Sequence, residues 1–304
     1  MCLVGSEMCI RDSDTRADNN CTVWVSISDP GEITQRLIDR IQFHFGQAQG
    51  STWTSGPLDT SANFQAADAM AEEILNGNFV PDGPVSPQAQ RFLHFLVYDD
   101  PMHREAIPWE VTEAEFQGKV KAWNERTSSS PKTGIHLGHA KAYFAALDLD
   151  PDDPRFQRVN EIRETVLRGH LLLLNYAIKF GFVYERWKFI TNTLLEKDPG
   201  VPKLHRLRTI HLYEWDWSLL LGVKWRKLLH YCYDKGLIQP SSHGGVQGRS
   251  APDAIFMKEL EYEVTRLTRK PLVIFDNDAK ACFDRIPCYL GNLVGRKHGL
   301  PVKI

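Results

Sequence analysis

The sequence predicts an α+β fold, mainly helical in its first part and mixed strand and helix after it. Two observations carry this. Apolar residues recur at the helical period over most of the chain, and the pattern changes in two short runs, 187–195 and 203–212, that are rich in aromatic and β-branched residues. The segment between them, Glu196-Lys-Asp-Pro-Gly-Val-Pro202, is turn material, so the two runs read as a β-hairpin. Upstream, Pro57, Gly77, Pro81, Gly83, Pro84, Pro87 and Pro101 divide the chain into short segments. Between these punctuators 66–75 and 88–96 read as short helices, and 110–123 as a longer one. Residues 127–131 and 150–154 are loops, and the Asp residues of the second can cap a helix running from about Arg155 to Phe180. After the hairpin, 214–233 returns to helical spacing. Ser250 with Asp253 three residues on can cap the next helix, whose apolar line is Phe256, Leu260, Val264 and Leu267. Leu272-Val-Ile-Phe275 reads as a short buried strand, and Pro287 opens a last helix.

Composition narrows the class further. The 304 residues hold 36 Lys+Arg and 38 Asp+Glu, a net charge of −2. Residues 1–150 contain 11 basic and 21 acidic residues and net −10, whereas 151–304 contain 25 and 17 and net +8. The second half therefore carries the basic balance expected of a nucleic-acid partner. The longest apolar stretch, Leu171 to Val183, is broken by Asn175 and Lys179, so no membrane span is expected. Six cysteines without C-x-x-C spacing argue against a disulfide framework and for an intracellular, reducing compartment. Residues 1–13 have no secretory pattern and resemble a translated sequencing-adaptor segment, and the fold is read without them. The end at Pro301-Val-Lys-Ile304 reads as a cut through a longer protein.

The stretch Pro271-Leu-Val-Ile-Phe-Asp-Asn-Asp-Ala-Lys-Ala-Cys-Phe-Asp-Arg-Ile286 holds the most chemistry. Alternate side chains of a strand share a face, which puts Asp276 and Asp278 together and Asn277 opposite. Two carboxylates at a strand end can hold Mg²⁺, which takes oxygen ligands and often keeps phosphates in its shell. The bland alternative is a solvated Asp-rich turn.

This stretch resembles motif A of reverse transcriptases of the non-LTR retrotransposon kind. The resemblance places the catalytic, metal-binding carboxylate on Asp278, with Asp276 a minor rival, and implies two Mg²⁺ ions in the complete enzyme. It places on Phe283 the aromatic that excludes a ribose 2′-hydroxyl and so favours DNA synthesis. Lys280 comes one residue earlier than the usual Lys-Ala pair, and Cys282 intrudes. Upstream, 194–210 resembles the fingers hairpin of the same family. A triphosphate needs fixed cations, which Arg supplies as a planar fork and Lys as a point charge, and Lys197 and Arg208 are assigned that job. Lys203 and Arg206 are assigned to template backbone. Gln247-Gly-Arg-Ser-Ala251 resembles the segment preceding motif A, implying nucleic-acid contact at Gly248 and Arg249, although Ser242-His-Gly244 replaces the usual Gln-aromatic-Gly. Gly134-Ile-His-Leu-Gly-His-Ala-Lys141 resembles a segment found ahead of the fingers. The resemblance thus spans 131–304 as a partial fingers and palm ending after motif A, behind an acidic 14–130. It implies RNA template, DNA primer and dNTP as partners of the complete enzyme.

Three look-alikes are set aside. Val97-Tyr-Asp-Asp100 imitates the second catalytic hairpin of such polymerases but precedes motif A, so a helix end and turn is expected. His136-x-x-His139 lacks a third ligand nearby, and no zinc is expected. Trp215, Trp217 and Trp225 are read as core ahead of base stacking. A D-x-D after a strand also marks metal-dependent glycosyltransferases, and a non-enzymatic nucleic-acid-binding remnant is the other alternative. No aromatic-Asp-Asp follows Asp278 within the 304 residues, so this chain is expected to be inactive alone.

Overall fold

The computed structural model describes residues 10–15, 22–59, 64–99, 107–123, 133–135, 137–144, 150–200, 203–246, 248–274 and 285–300. These form a mixed α+β structure with two separate two-stranded sheets and helices. The chain divides into two compact units that interleave in sequence. One takes residues up to Gln49 and Val111–Leu220, the other Gly50–Glu110 and Leu221 onward. Each unit is built from two distant chain segments.

The first unit opens with an unexpected hairpin. Strands β1 (Ile10–Thr15) and β2 (Thr22–Ile27) pair antiparallel, from Ile10 opposite Ile27 to Thr15 opposite Thr22. A two-stranded ladder asks only for paired backbone groups. Helix α1 (Pro30–Phe45) follows, also unanticipated; the Asp29 carboxylate caps it by accepting from the Glu32 N–H at 2.8 Å. Its buried Ile33 and Leu37, one helical turn apart, pack with Ile27 and Leu204.

Helices α4 (Glu113–Ala122), α5 (Leu137–Phe144) and α6 (Pro154–Phe180) surround an aromatic cluster in which Phe116, Phe144, His170 and Trp215 meet at centroid distances of 5.0–6.2 Å. A capping box between Thr112 and Glu115 starts α4. Asp153 caps α6 as expected, and Gly181 in the left-handed region ends it. Asn175 of α6 accepts from the Val111 N–H at 2.7 Å and donates to its carbonyl at 3.0 Å, anchoring the approach to α4.

Strands β3 (Thr191–Glu196) and β4 (Leu207–Leu212) form the anticipated hairpin, shortened because 3₁₀ turns occupy Glu185–Lys188 and Leu204–Arg206. Helix α7 (Trp215–Asp234) begins in the first unit. Glu214 and Asp216 are fully buried at its start, where Asp216 accepts from the Trp187 indole at 2.8 Å and pairs with Arg186. Trp215 is core as expected, whereas Trp225 is exposed.

In the second unit, α2 (Phe64–Leu75), α3 (Pro87–Leu96) and α9 (Cys288–Lys297) share a core of Ala71, Ile74, Leu75, Leu96 and Leu293. The buried Arg296 guanidinium is held by Asp68 at 2.8 Å and by Glu72. Another cluster joins Ile107, Leu228 and Cys232 with Trp109 and Leu300, and Cys232 is a free buried thiol. Helix α8 (Ala251–Thr268) begins with the expected Ser250–Asp253 capping box but has no buried residue. The expected strand at 272–275 does not form over its described part. Residues 272–274 have no regular structure and Val273 is 89% exposed, because a β-rich run needs a partner ladder that the described residues do not offer it. Among the described residues no helix is long and apolar enough to cross a membrane.

Candidate functional site

The β3–β4 register decides which side chains share a face. Leu194 lies opposite Thr209, Glu196 opposite Leu207 and Asn192 opposite His211, so these six line one face of the hairpin. That face is covered by α1: Leu194, Leu204 and Leu207 pack against Ile33 and Leu37, and the Phe45 and His211 rings meet at 5.2 Å. Leu37, Arg40, Ile41 and His44 of α1 close a cavity against Leu194 and Leu207 of ≈ 10 Å³, room for about one water.

The other face holds Thr193, Leu195, Arg208 and Ile210. Leu195 sits directly opposite Arg208, and both are exposed. The Lys197 N–H donates to the Arg206 carbonyl at 3.1 Å, which extends the ladder one pair beyond β3. Lys197 therefore falls on the same face as Leu195, diagonal to Arg208. The structure brings together the two cations singled out for a triphosphate, on the side that α1 leaves open.

The tip that presents them is braced. Glu196 accepts from the Gly200 N–H at 2.7 Å, and Gly200 adopts φ +78°, a left-handed conformation that glycine reaches without steric penalty. Asp198 pairs with Arg206 at 2.8 Å across the turn. Arg206 is thus engaged locally, while Lys203 is half-buried. In the second unit the Arg249 guanidinium donates to the Pro240 and Ser242 carbonyls at 2.6 Å each and stacks 5.0 Å from the Tyr233 ring centroid. Its donors fasten the 239–249 loop to the end of α7. The preceding Gly248 is exposed with φ +77°.

Asp276, Asp278 and Phe283 lie outside the described residues, as do Gln247, His136 and Asp100. Among the described residues no three His, Cys, Asp or Glu side chains gather as a metal site. The Val97–Asp99 segment leaves α3 as a turn, in which the Tyr98 N–H bonds the Leu75 carbonyl at 2.9 Å and Asp99 lies 3.3 Å from Lys297. What sequence reasoning missed is α1 as the backing of the hairpin. Its signal was present: Asp29-Pro-Gly-Glu32 as a helix start, followed by Ile33, Leu37 and Ile41 at four-residue spacing. No family model matches the chain, and none of the curated proteins is significantly similar to it.

Proposed function

We propose that this chain carries the nucleotide-gripping hairpin and the first palm carboxylate of a reverse transcriptase of the non-LTR retrotransposon type. The observation supporting the reading most directly is the placement of Lys197 and Arg208 on one open face of a hairpin whose other face is buried by α1. An incoming dNTP needs its phosphates held at fixed positions before in-line attack. Arg208 grips two phosphate oxygens with its planar fork, and Lys197 adds a point charge beside it. Leu195 and Ile210 give the same face an apolar surface. Phe283 excludes the 2′-hydroxyl, and Lys203 touches template backbone.

The donor set of Asp278, with Asp276 as its rival, consists of carboxylate oxygens, the hard ligands that Mg²⁺ takes. When bound, Mg²⁺ polarises phosphoryl oxygens and neutralises the charge developing on the departing pyrophosphate. Such chemistry uses carboxylates from a second strand as well. In this reading the chain binds nucleotide and primed template through these residues.

Equilibrium dialysis of a labelled dNTP with Mg²⁺ tests the assignment. Arg208→Ala and Lys197→Ala should each weaken retention about tenfold, or ~1.4 kcal/mol, while Arg40→Ala on the covered side should not. Unchanged affinity in the first two variants removes the nucleotide site. Mn²⁺-dependent hydrolysis of a nucleotide-sugar, lost in Asp276→Ala, would transfer the reading to a glycosyltransferase.

A further inference from the structure

Two helices expose apolar seams at coiled-coil spacing. On α8, Met257, Leu260, Val264 and Leu267 follow one another at intervals of three, four and three residues, the a/d pattern of two heptads. All four are exposed, Leu267 to 75%, while the half-buried positions of the helix are Ala254, Lys258 and Thr265. The helix turns small and polar side chains inward and its apolar stripe outward, the reverse of a surface helix that packs on its own core. Of the four positions flanking the stripe, Phe256, Glu261, Glu263 and Thr268, the two charged ones are both carboxylates. Glu263 is engaged by Arg266, in an exposed pair that is cheap to exchange.

Helix α6 has a second seam beside the one it buries. Val159, Ile162, Val166, Gly169, Leu173, Tyr176 and Phe180 alternate strictly at three and four residues through three heptads. Ile162, Leu173, Tyr176 and Phe180 are each about half exposed. Arg158, Arg163 and Lys179 occupy flanking positions of this seam. One seam is edged by carboxylates and the other by cations, and flanking charges of this kind choose the partner of a coiled coil. Like pairing, α8 on α8 or α6 on α6, would bring like charges together.

We propose that the chain self-associates, with α8 of one copy docking on α6 of a second copy. The contact is an antisymmetric one, joining two different surfaces, and it is independent of the polymerase reading. The apolar seams supply the attraction, and the Glu and Arg/Lys edges fix which seam meets which.

Sedimentation of the whole chain at increasing concentration, with the variants Leu260→Glu and Leu173→Glu, tests this. Both positions are exposed in the free chain, so the substitutions leave folding intact, checked by circular dichroism. Each variant alone should lose at least about tenfold in self-affinity, since a carboxylate would be buried in an apolar seam. Mixing the two should restore a heterodimer, because one retains a sound α6 and the other a sound α8. Association of the parent should also weaken as salt rises, since the edge charges are screened. A parent chain that stays monomeric, a variant that self-associates like the parent, or a mixture that fails to pair would each overturn the proposal.

Discussion

At the residue scale the unusual group is Lys224 of α7. It is 5% exposed, its Nζ has no hydrogen-bond partner, and it lies 5.4 Å from the Trp109 ring centroid. Burial first, and the charge of Lys227 second, push its ammonium down to about 7 from an ordinary 10.5. The sign of the consequence follows from proton linkage. Between pH 7 and 10.5 the unfolded chain holds the proton that the folded chain has released, so stability rises with pH across that window. Below pH 7 both states are protonated and the cost of the buried charge is fully present. Lys224→Met fills the same volume without a charge to desolvate. It should stabilise the protein at pH 7 by about 1–3 kcal/mol, and the gain should shrink toward pH 10.5. Urea denaturation at pH 6, 8 and 10 measures this, and a gain independent of pH would show that the amine is not the cause. This residue was not legible in the sequence, where Lys224 stood with Arg226 and Lys227 as part of a basic helix; only packing separates a buried lysine from a solvated one.

At the element scale, α9 closes on itself through a glycine. The Leu300 N–H bonds the Gly295 carbonyl at 2.9 Å, and a Cβ on Gly295 would collide with Leu300 Cδ1. Leu300 packs into the Ile107, Leu228 and Cys232 cluster. Helix propensity alone predicts that Gly295→Ala stabilises by about 1 kcal/mol; overpacking against Leu300 opposes it by about 1–3 kcal/mol. The net effect should be destabilising, and in a Leu300→Ala background the same substitution should become neutral or stabilising. A double-mutant cycle by chemical denaturation checks this. The long helices were legible because periodicity and caps reinforce one another: Asp153 and Gly181 bracket α6, and the Ser250–Asp253 box opens α8. The β3–β4 hairpin was legible by its turn, whereas the placement of Lys197 and Arg208 on one face needed the strand register. Residues 272–274 were misread because β-propensity describes fitness for a ladder and cannot supply the neighbouring strand.

At the scale of the whole molecule, the fold rearranges the charge that the sequence separates. In chain order the halves net −10 and +8, which pointed to a strongly basic nucleic-acid-binding part. The compact units do not follow chain order. The first combines 20 basic with 21 acidic residues and the second 16 with 17, so each nets −1. Each unit joins segments of differing balance, and no unit carries a large positive field to attract a polyanion. Under the proposed reading, attraction for a primed RNA template is then weak, and Arg206, paired with Asp198, and Arg249, occupied by loop carbonyls, add little to it. One or two template phosphate contacts at ~0.7–0.9 each give a slope of log K against log salt of about −1 to −2. Lys203→Ala should reduce that slope by just under one, whereas Arg249→Ala should loosen the 239–249 loop and leave the slope alone. Fluorescence anisotropy of a labelled primed template over a range of salt measures both. A slope near −8 would show that the basic half acts as one surface, and that the neutralisation inside each unit does not govern binding.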